Sequence, residues 1–520
     1  MVSTATLIIT VIPLAYLVFA LWVGVRSRSA ADQSTTEGFV AGDRRIGVIV
    51  LFFIMSAANN SAFAFLGGPG FAFDRGAAGF YIITYSAFGF ALWYVFGPKV
   101  SRLGRKLGYV TQAEFVSDRF DSKWISAIMA IASVAAFIPY LVVQIKGVAF
   151  ILNEASNGII PFWLSGLLPF LVIGIYVVTS GMMGVGWSNV LQGIMMVLLA
   201  WFLGLYLPFE LHGGVEPMFK NIAASDPSQL LVGLPEMSML QYSSFIVVSA
   251  LGSIMWPHLF MRAYTADDTA TVKKTAAFYP LFQFIIIPIL LIGFAGVTVV
   301  EPSLLDSPDR ILPYLVMSLD MNPLLIGLFF AGALAATMST ADAIVHSSVS
   351  VIMRDFYKPL FDPDPEGEKV NETFWMKVLV FPTLGVAYYF AMFSSINIVP
   401  LQAAAYGAII QFIPLVVGAM YWPRATKTGA LSGLFAGTVV TGIFTFVVPT
   451  PLTVHAGFWG LLVTTAVFVI VSLMTKVENP EFAREIIRET RPKLFPTEIG
   501  SEDPSVAATD GGTLSDDTEK

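Results

Sequence analysis

Three observations predict an all-α membrane protein of about thirteen transmembrane helices, built as an inverted repeat of five plus five helices with extra peripheral helices. The chain has 520 residues, 56% hydrophobic and 12% charged, about half the charge of an ordinary globular chain. Its apolar residues fall in runs of roughly 20, the length that crosses a bilayer's hydrocarbon core. Two of those runs, five apart in order, carry matching interruptions, the sequence mark of a transporter built from repeats. Five is an odd number, so the halves run in opposite directions.

The runs lie near residues 6–25, 47–73, 78–97, 125–152, 161–178, 188–207, 239–260, 277–299, 323–353, 374–394, 400–422, 429–449 and 456–475, here numbered spans 1 to 13. Span 1 reads as a retained helix rather than a cleaved signal peptide. Its apolar stretch Leu7–Val25 is long, no basic residue precedes it, and no small-residue cleavage site follows. Of the 29 Lys and Arg, 24 fall in the loops that share one side and 3 (Arg75, Lys220 and Arg310) on the other, with Lys146 and Lys377 within spans. Basic residues collect on the cytoplasmic side. The expected topology is therefore N-terminus outside and C-terminus cytoplasmic, in the cell membrane.

Span 2 contains "SAANNSAFAFLGGPG", residues 56–70, which predicts a helix break around Gly67–Gly70. Span 7 contains "SALGSIMWPHLF", with Gly252 and Pro257. Unsatisfied backbone is tolerated at membrane depth only inside protein or beside a water-filled cavity. Unwinding span 2 there exposes carbonyls able to replace the water around a small cation. Span 9, "AGALAATMSTADAIVHSS", adds the adjacent hydroxyls of Ser339 and Thr340. Bonding back to a carbonyl one turn earlier is the ordinary role of such hydroxyls. Donating oxygen to a cation is the functional one. A carboxylate-free oxygen set suits a monovalent ion better than calcium.

Candidate substrate residues are Phe63, Phe65 and Gly67 in span 2, Lys146 in span 4, Trp256 in span 7, and Gln402 and Gln411 in span 11. Lys146 lies about 9 Å from the end of its span at helical rise. It either offsets a substrate carboxylate or snorkels to the interface. Gln144, two residues earlier, points elsewhere. Gln402 and Gln411 are two and a half turns apart and so face opposite ways. The aromatics are otherwise packing residues. Asp342 and His346, four apart in span 9, are expected to pair structurally. The absence of cysteine excludes disulfides and thiolate sites. No hydrolytic dyad, nucleotide loop or metal-ligand cluster is evident, so no enzyme is expected. The net charge of −7 goes with no nucleic-acid partner. The domain reading is a transporter domain over 1–475, with repeat halves at about 47–207 and 239–422. A polar cytoplasmic tail, 476–520, follows. It is largely disordered apart from a short helix over Pro480–Arg491.

"AANNSAFAFLGGPG", "VVTSGMMGVGWSNVLQG" and "LAATMSTADA…RDFY" together resemble the sodium:solute symporter family, from about residue 36 to 430. The resemblance implies a leucine-transporter-type fold. It also implies a co-transported sodium ion, held by the carbonyls of Ala57, Asn60 and Ala336 and the hydroxyls of Ser339 and Thr340. The family often has an acidic residue after "WT" in span 6, where this chain has Trp187-Ser188-Asn189, which puts any cation or gating role there in doubt. "AFAFLGGPGFAF", "TQAEF", "IPYLVVQIKG" and "WPHLFMRAYTA" most resemble the branch carrying monocarboxylates; "FLGGPG" also resembles pantothenate carriers.

The expected function is a sodium-coupled secondary active symporter that imports a small organic solute, a monocarboxylate, by alternating access. Its partners are then that solute, sodium and the lipid bilayer. The alternatives are a sodium-coupled carrier of an amino acid or other neutral solute, and a nutrient sensor. Sensors of this kind usually carry a large cytoplasmic kinase region, and a 45-residue tail does not supply one.

Overall fold

The structure is a computed structural model, described here for residues 3–233, 237–319, 321–362, 370–393, 398–449 and 451–490. Helices dominate, and no strand occurs among the described residues. Ten helices are long and apolar enough to cross a membrane, or eleven with the bent pair Met239–Ser253 and Pro257–Thr265 taken as one. Two of the ten each contain two apolar runs. Phe63–Leu107 joins the second half of span 2 to span 3, and Phe162–His212 joins spans 5 and 6. Divided at their turns, the helices account for all thirteen runs.

Span 1 shows where the second of these long helices turns back. Tyr176 packs on Gly24, and the Ser180 hydroxyl donates to the Val25 carbonyl (3.5 Å). Gln192, however, donates to the Tyr16 hydroxyl (3.2 Å), more than two turns back along span 1. The reversal sits at Gly181, with φ 50° and ψ −138°. That backbone favours glycine, and a Cβ there would also lie 2.7 Å from Phe39.

Span 9, Pro323–Val351, is the central post and is buried almost throughout from Phe329 onward. Spans 1, 4 and 6 pack around it. Small residues set the close approaches, as expected where lipid offers no hydrophobic drive for helices to associate. A Cβ on Gly147 of span 4 would lie 2.6 Å from Ala62 and 3.1 Å from Thr337, so spans 2, 4 and 9 meet at that point.

The basic loops gather at one end of the bundle. Arg44 donates to the carbonyls of Tyr109 and Tyr264. Arg354 pairs with Glu114 and Glu372, and Lys427 donates to the Asp121 carbonyl. The helix Pro480–Thr490 docks at this end through Lys106 with Glu485 and Glu489, and Arg102 with Glu489. Residues 491–520, the remainder of the expected tail, lie outside the described residues. At the opposite end, the segment between spans 8 and 9 folds over span 2. Pro308 lies against Gly70, Arg310 pairs with Glu154 of span 4, and Lys146 faces Asp309.

Candidate functional site

Span 2 unwinds where the sequence reading did not place the break. Its first half, Val48–Asn59, ends in the asparagine pair, and Asn60 has φ −100° and ψ 83°. Gly67–Gly70, where the break was expected, is helical. The reason is a widened turn over Phe63–Gly67, in which the Gly68 N–H bonds the Phe63 carbonyl five residues back. This turn makes room for Pro69, which has no N–H and whose ring would otherwise crowd the carbonyl four residues earlier.

Three N–H groups around the break have partners. That of Asn60 bonds the Ala57 carbonyl (3.1 Å). That of Ala62 bonds Gln144 Oε1 of span 4 (3.0 Å), and that of Phe63 bonds Ser61 Oγ (3.1 Å). Gln144, set aside in the sequence reading, therefore positions the break. The carbonyls face span 9. Ser339 Oγ donates to Ala57 O (3.1 Å) and Ala336 O (2.9 Å). Thr340 Oγ1 donates to Ala58 O (2.9 Å). Asn60 also joins through its side chain, whose Nδ2 donates to Ser56 O (2.8 Å). Ala57, Asn60, Ala336, Ser339 and Thr340 thus gather around one break. The Ala58 carbonyl, bonded by Thr340, joins the same cluster.

Span 7 breaks at 254–256 and bends by 43°. Trp256 opens its second half and is buried in an aromatic group: ring centroids lie 5.0 Å from Tyr140, 5.4 Å from Tyr406 and 5.5 Å from His258. The Tyr140 hydroxyl in turn lies beside Ser61, so one side chain sits against both breaks. Both ring nitrogens of His258 and Gln402 Oε1 are buried without a hydrogen-bond partner among the described residues, and the Trp256 indole lies against the Tyr406 hydroxyl. His258 carried no signal in the sequence reading; its identity as a candidate comes from its neighbours.

The other predicted residues divide. Phe63, Phe65 and Gly67 are buried on the widened turn, beside Ile398–Ile409 of span 11. Gln411 is not at the breaks. Its amide donates to Gly407 O, Thr441 Oγ1 and Gly457 O and accepts from Thr464 Oγ1, clamping span 11 to spans 12 and 13. Lys146 is buried opposite Asp309 rather than set among the aromatics. The expected pairing of Asp342 with His346 does not form. His346 bonds the Phe39 carbonyl (2.8 Å). Asp342 instead accepts from Tyr176 (2.6 Å), Ser188 (3.1 Å) and Asn189 (3.2 and 3.3 Å), with buried Arg262 as its electrostatic neighbour. Asn189, whose role the sequence left in doubt, is thus a ligand of the span 9 carboxylate.

Two discontinuous helices in opposed halves, with carbonyls and hydroxyls converging on a break, define a secondary transporter of the inverted-repeat class. Residues 39–437 match the sodium:solute symporter family, and the chain belongs to that family. It is similar to the sodium/pantothenate symporter of Escherichia coli, at 28% identity over 83% of this chain and 90% of the relative. It is also similar to the monocarboxylate transport permease protein of Rhizobium johnstonii, at 24% identity over 88% and 94%. A solved substrate-bound, outward-open Na+-coupled sialic acid symporter matches with a TM-score of 0.72 over 90% of this chain and 98% of that one, at 18% identity. That likeness concerns the fold, which is of the leucine-transporter type. The protein is a multi-pass membrane symporter that co-transports sodium with a small solute, and not an enzyme.

Proposed function

We propose that the protein imports a small carboxylate with sodium, and that sodium binds where span 2 unwinds against span 9. The observation that carries the sodium reading is the pair of hydroxyls, Ser339 and Thr340, each within 3.1 Å of a carbonyl at the break. An ion there takes the hydroxyl and carbonyl lone pairs together, with Ala57, Asn60 and Ala336 completing the oxygen shell. The carboxylate reading is supported by His258 at the span 7 break, whose ring nitrogens are buried without a hydrogen-bond partner among the described residues, since a buried donor without a partner is costly and an anion accepts from it. The names of the two relatives, a monocarboxylate transport permease and a sodium/pantothenate symporter, point to the same chemistry.

In this reading the repeat halves are about 47–207 and 239–422. The basic end faces the cytoplasm, with the N-terminus outside and the tail from 476 inside the cell. The segment carrying Asp309 and Arg310 is the outer lid. Lys146 holds that lid rather than the substrate. The test is uptake of a panel of labelled acids into proteoliposomes, in competition with the matching neutral amides. Acids are expected to compete well and amides poorly. Equal competition would replace the carboxylate reading with the neutral-solute one.

A further inference from the structure

A cavity of about 1190 Å³ opens on the side of the bundle at its basic end, between span 1 and the start of span 10. Its apolar wall is Val18, Leu21, Trp22 and Val25 of span 1, with Phe374 in the first turn of span 10 across from them. These are lipid-facing residues, with Trp22 58% and Phe374 54% exposed. Its rim is cationic: Arg26 and Arg28 where span 1 ends, and Lys377 across from them. Val18 precedes Arg26 by eight residues, so the apolar wall runs about 12 Å into the bilayer below the cations.

The charges at the rim are unbalanced. Arg26 and Arg28 make no ion pair among the described residues. The Lys377 ammonium donates to the Gln33 carbonyl (2.8 Å) and lies close enough to Arg28 to feel its charge. One carboxylate, Asp32, shares the lining, and it already accepts from the N–H and hydroxyl of Ser34. The first turn of span 10 adds Asn371 and Thr373 to the wall, at the positive end of a 22-residue helix.

We propose that this cavity binds an anionic phospholipid, its phosphate headgroup on Arg26, Arg28 and Lys377 and its acyl chain along Val18, Leu21 and Trp22. A soluble anion has no use for an apolar wall that extends into the hydrocarbon. A neutral lipid leaves three neighbouring cations with only the Asp32 carboxylate beside them in the lining, whereas basic pockets between membrane helices take anionic headgroups. The site is separate from the breaks and independent of which side the basic end faces.

The experiment is native mass spectrometry of the purified full chain in detergent, with phosphatidylglycerol, phosphatidylcholine or inorganic phosphate added. Wild type is expected to retain phosphatidylglycerol well above phosphatidylcholine and not to release it to millimolar phosphate. Each surface cation contributes on the order of fivefold. Arg26→Gln/Arg28→Gln is therefore expected to bind phosphatidylglycerol roughly 25-fold more weakly, while Arg26→Lys/Arg28→Lys stays close to wild type. Equal retention of the two lipids, unchanged binding by the glutamine variant, or displacement by phosphate would each overturn the proposal. A second measurement does not depend on the arginine variants folding. Brominated phosphatidylglycerol is expected to quench wild-type tryptophan fluorescence by a component that Trp22→Phe lacks. Identical quenching in the two proteins would also overturn it.

Discussion

Asn189 Nδ2 lies 2.8 Å from the Val185 carbonyl and 3.2 and 3.3 Å from the two carboxylate oxygens of Asp342, so the amide of the span 6 motif joins span 6 to span 9. The carboxylate of this pair sits on span 9, with an amide opposite it on span 6. Arg262, fully buried beside them, needs one negative charge there and not a second. Asp342→Asn is expected to cost about 3 kcal/mol, because it strands a buried cation, and Asn189→Asp crowds two carboxylates. The swap Asp342→Asn/Asn189→Asp restores one charge and one hydrogen bond and is expected to recover most of the loss. Thermal unfolding of the three variants in detergent checks this; a double variant no better than the worse single one would contradict it. The acid was visible in the sequence but its partner was not. Helical spacing brings Asp342 and His346 onto one face, yet says nothing of Tyr176, Ser188 and Asn189 arriving from spans 5 and 6. Gln411 misled for the same reason. Polarity at membrane depth marks a buried network, and only the contacts distinguish a substrate site from a clamp between spans 11, 12 and 13.

Helices were far more legible than the breaks within them. An apolar run of about 20 residues is a one-dimensional signal with a physical length behind it, and each of the thirteen runs coincides with helix. The break in span 2 depends on groups distant in sequence. Gln144 caps the Ala62 N–H and Ser339 takes the Ala57 carbonyl, so the chain opens at Asn60–Ser61, while a widened turn absorbs the Gly-Gly-Pro-Gly segment. The lid belongs to this scale as well. Asp309 and Arg310 sit on one short segment, facing Lys146 and Glu154 of span 4, so opening the far end separates both charge pairs. Lys146→Gln and Asp309→Asn are expected to act alike, each raising the rate at which the far end becomes accessible while leaving the preference for acids over amides unchanged. Alkylation of a cysteine placed at Phe65 reports that accessibility cleanly, because the chain has no cysteine of its own. Loss of acid preference in Lys146→Gln alone would instead return the lysine to the substrate site.

For the whole molecule, orientation and coupling are the properties the account depends on. Assigning 24 of the 29 basic residues to loops of one side from the sequence predicts that Ser225→Cys is labelled by an impermeant maleimide from outside intact cells, and Glu481→Cys only after the membrane is opened. The reverse pattern would invert the orientation and move the proposed lid to the cytoplasmic face. The central claim is that a sodium gradient, acting through the oxygens where span 2 opens against span 9, drives solute entry. It is tested most directly in proteoliposomes carrying an imposed sodium gradient and a labelled acid that the protein accepts, comparing wild type with Ser339→Ala and Thr340→Ala. Wild type is expected to accumulate the acid above equilibrium only while the gradient lasts. Each variant should need on the order of tenfold more sodium for half-maximal uptake, the consequence of losing one buried polar interaction. Accumulation that persists with potassium in place of sodium, or variants with wild-type sodium dependence, would contradict the account.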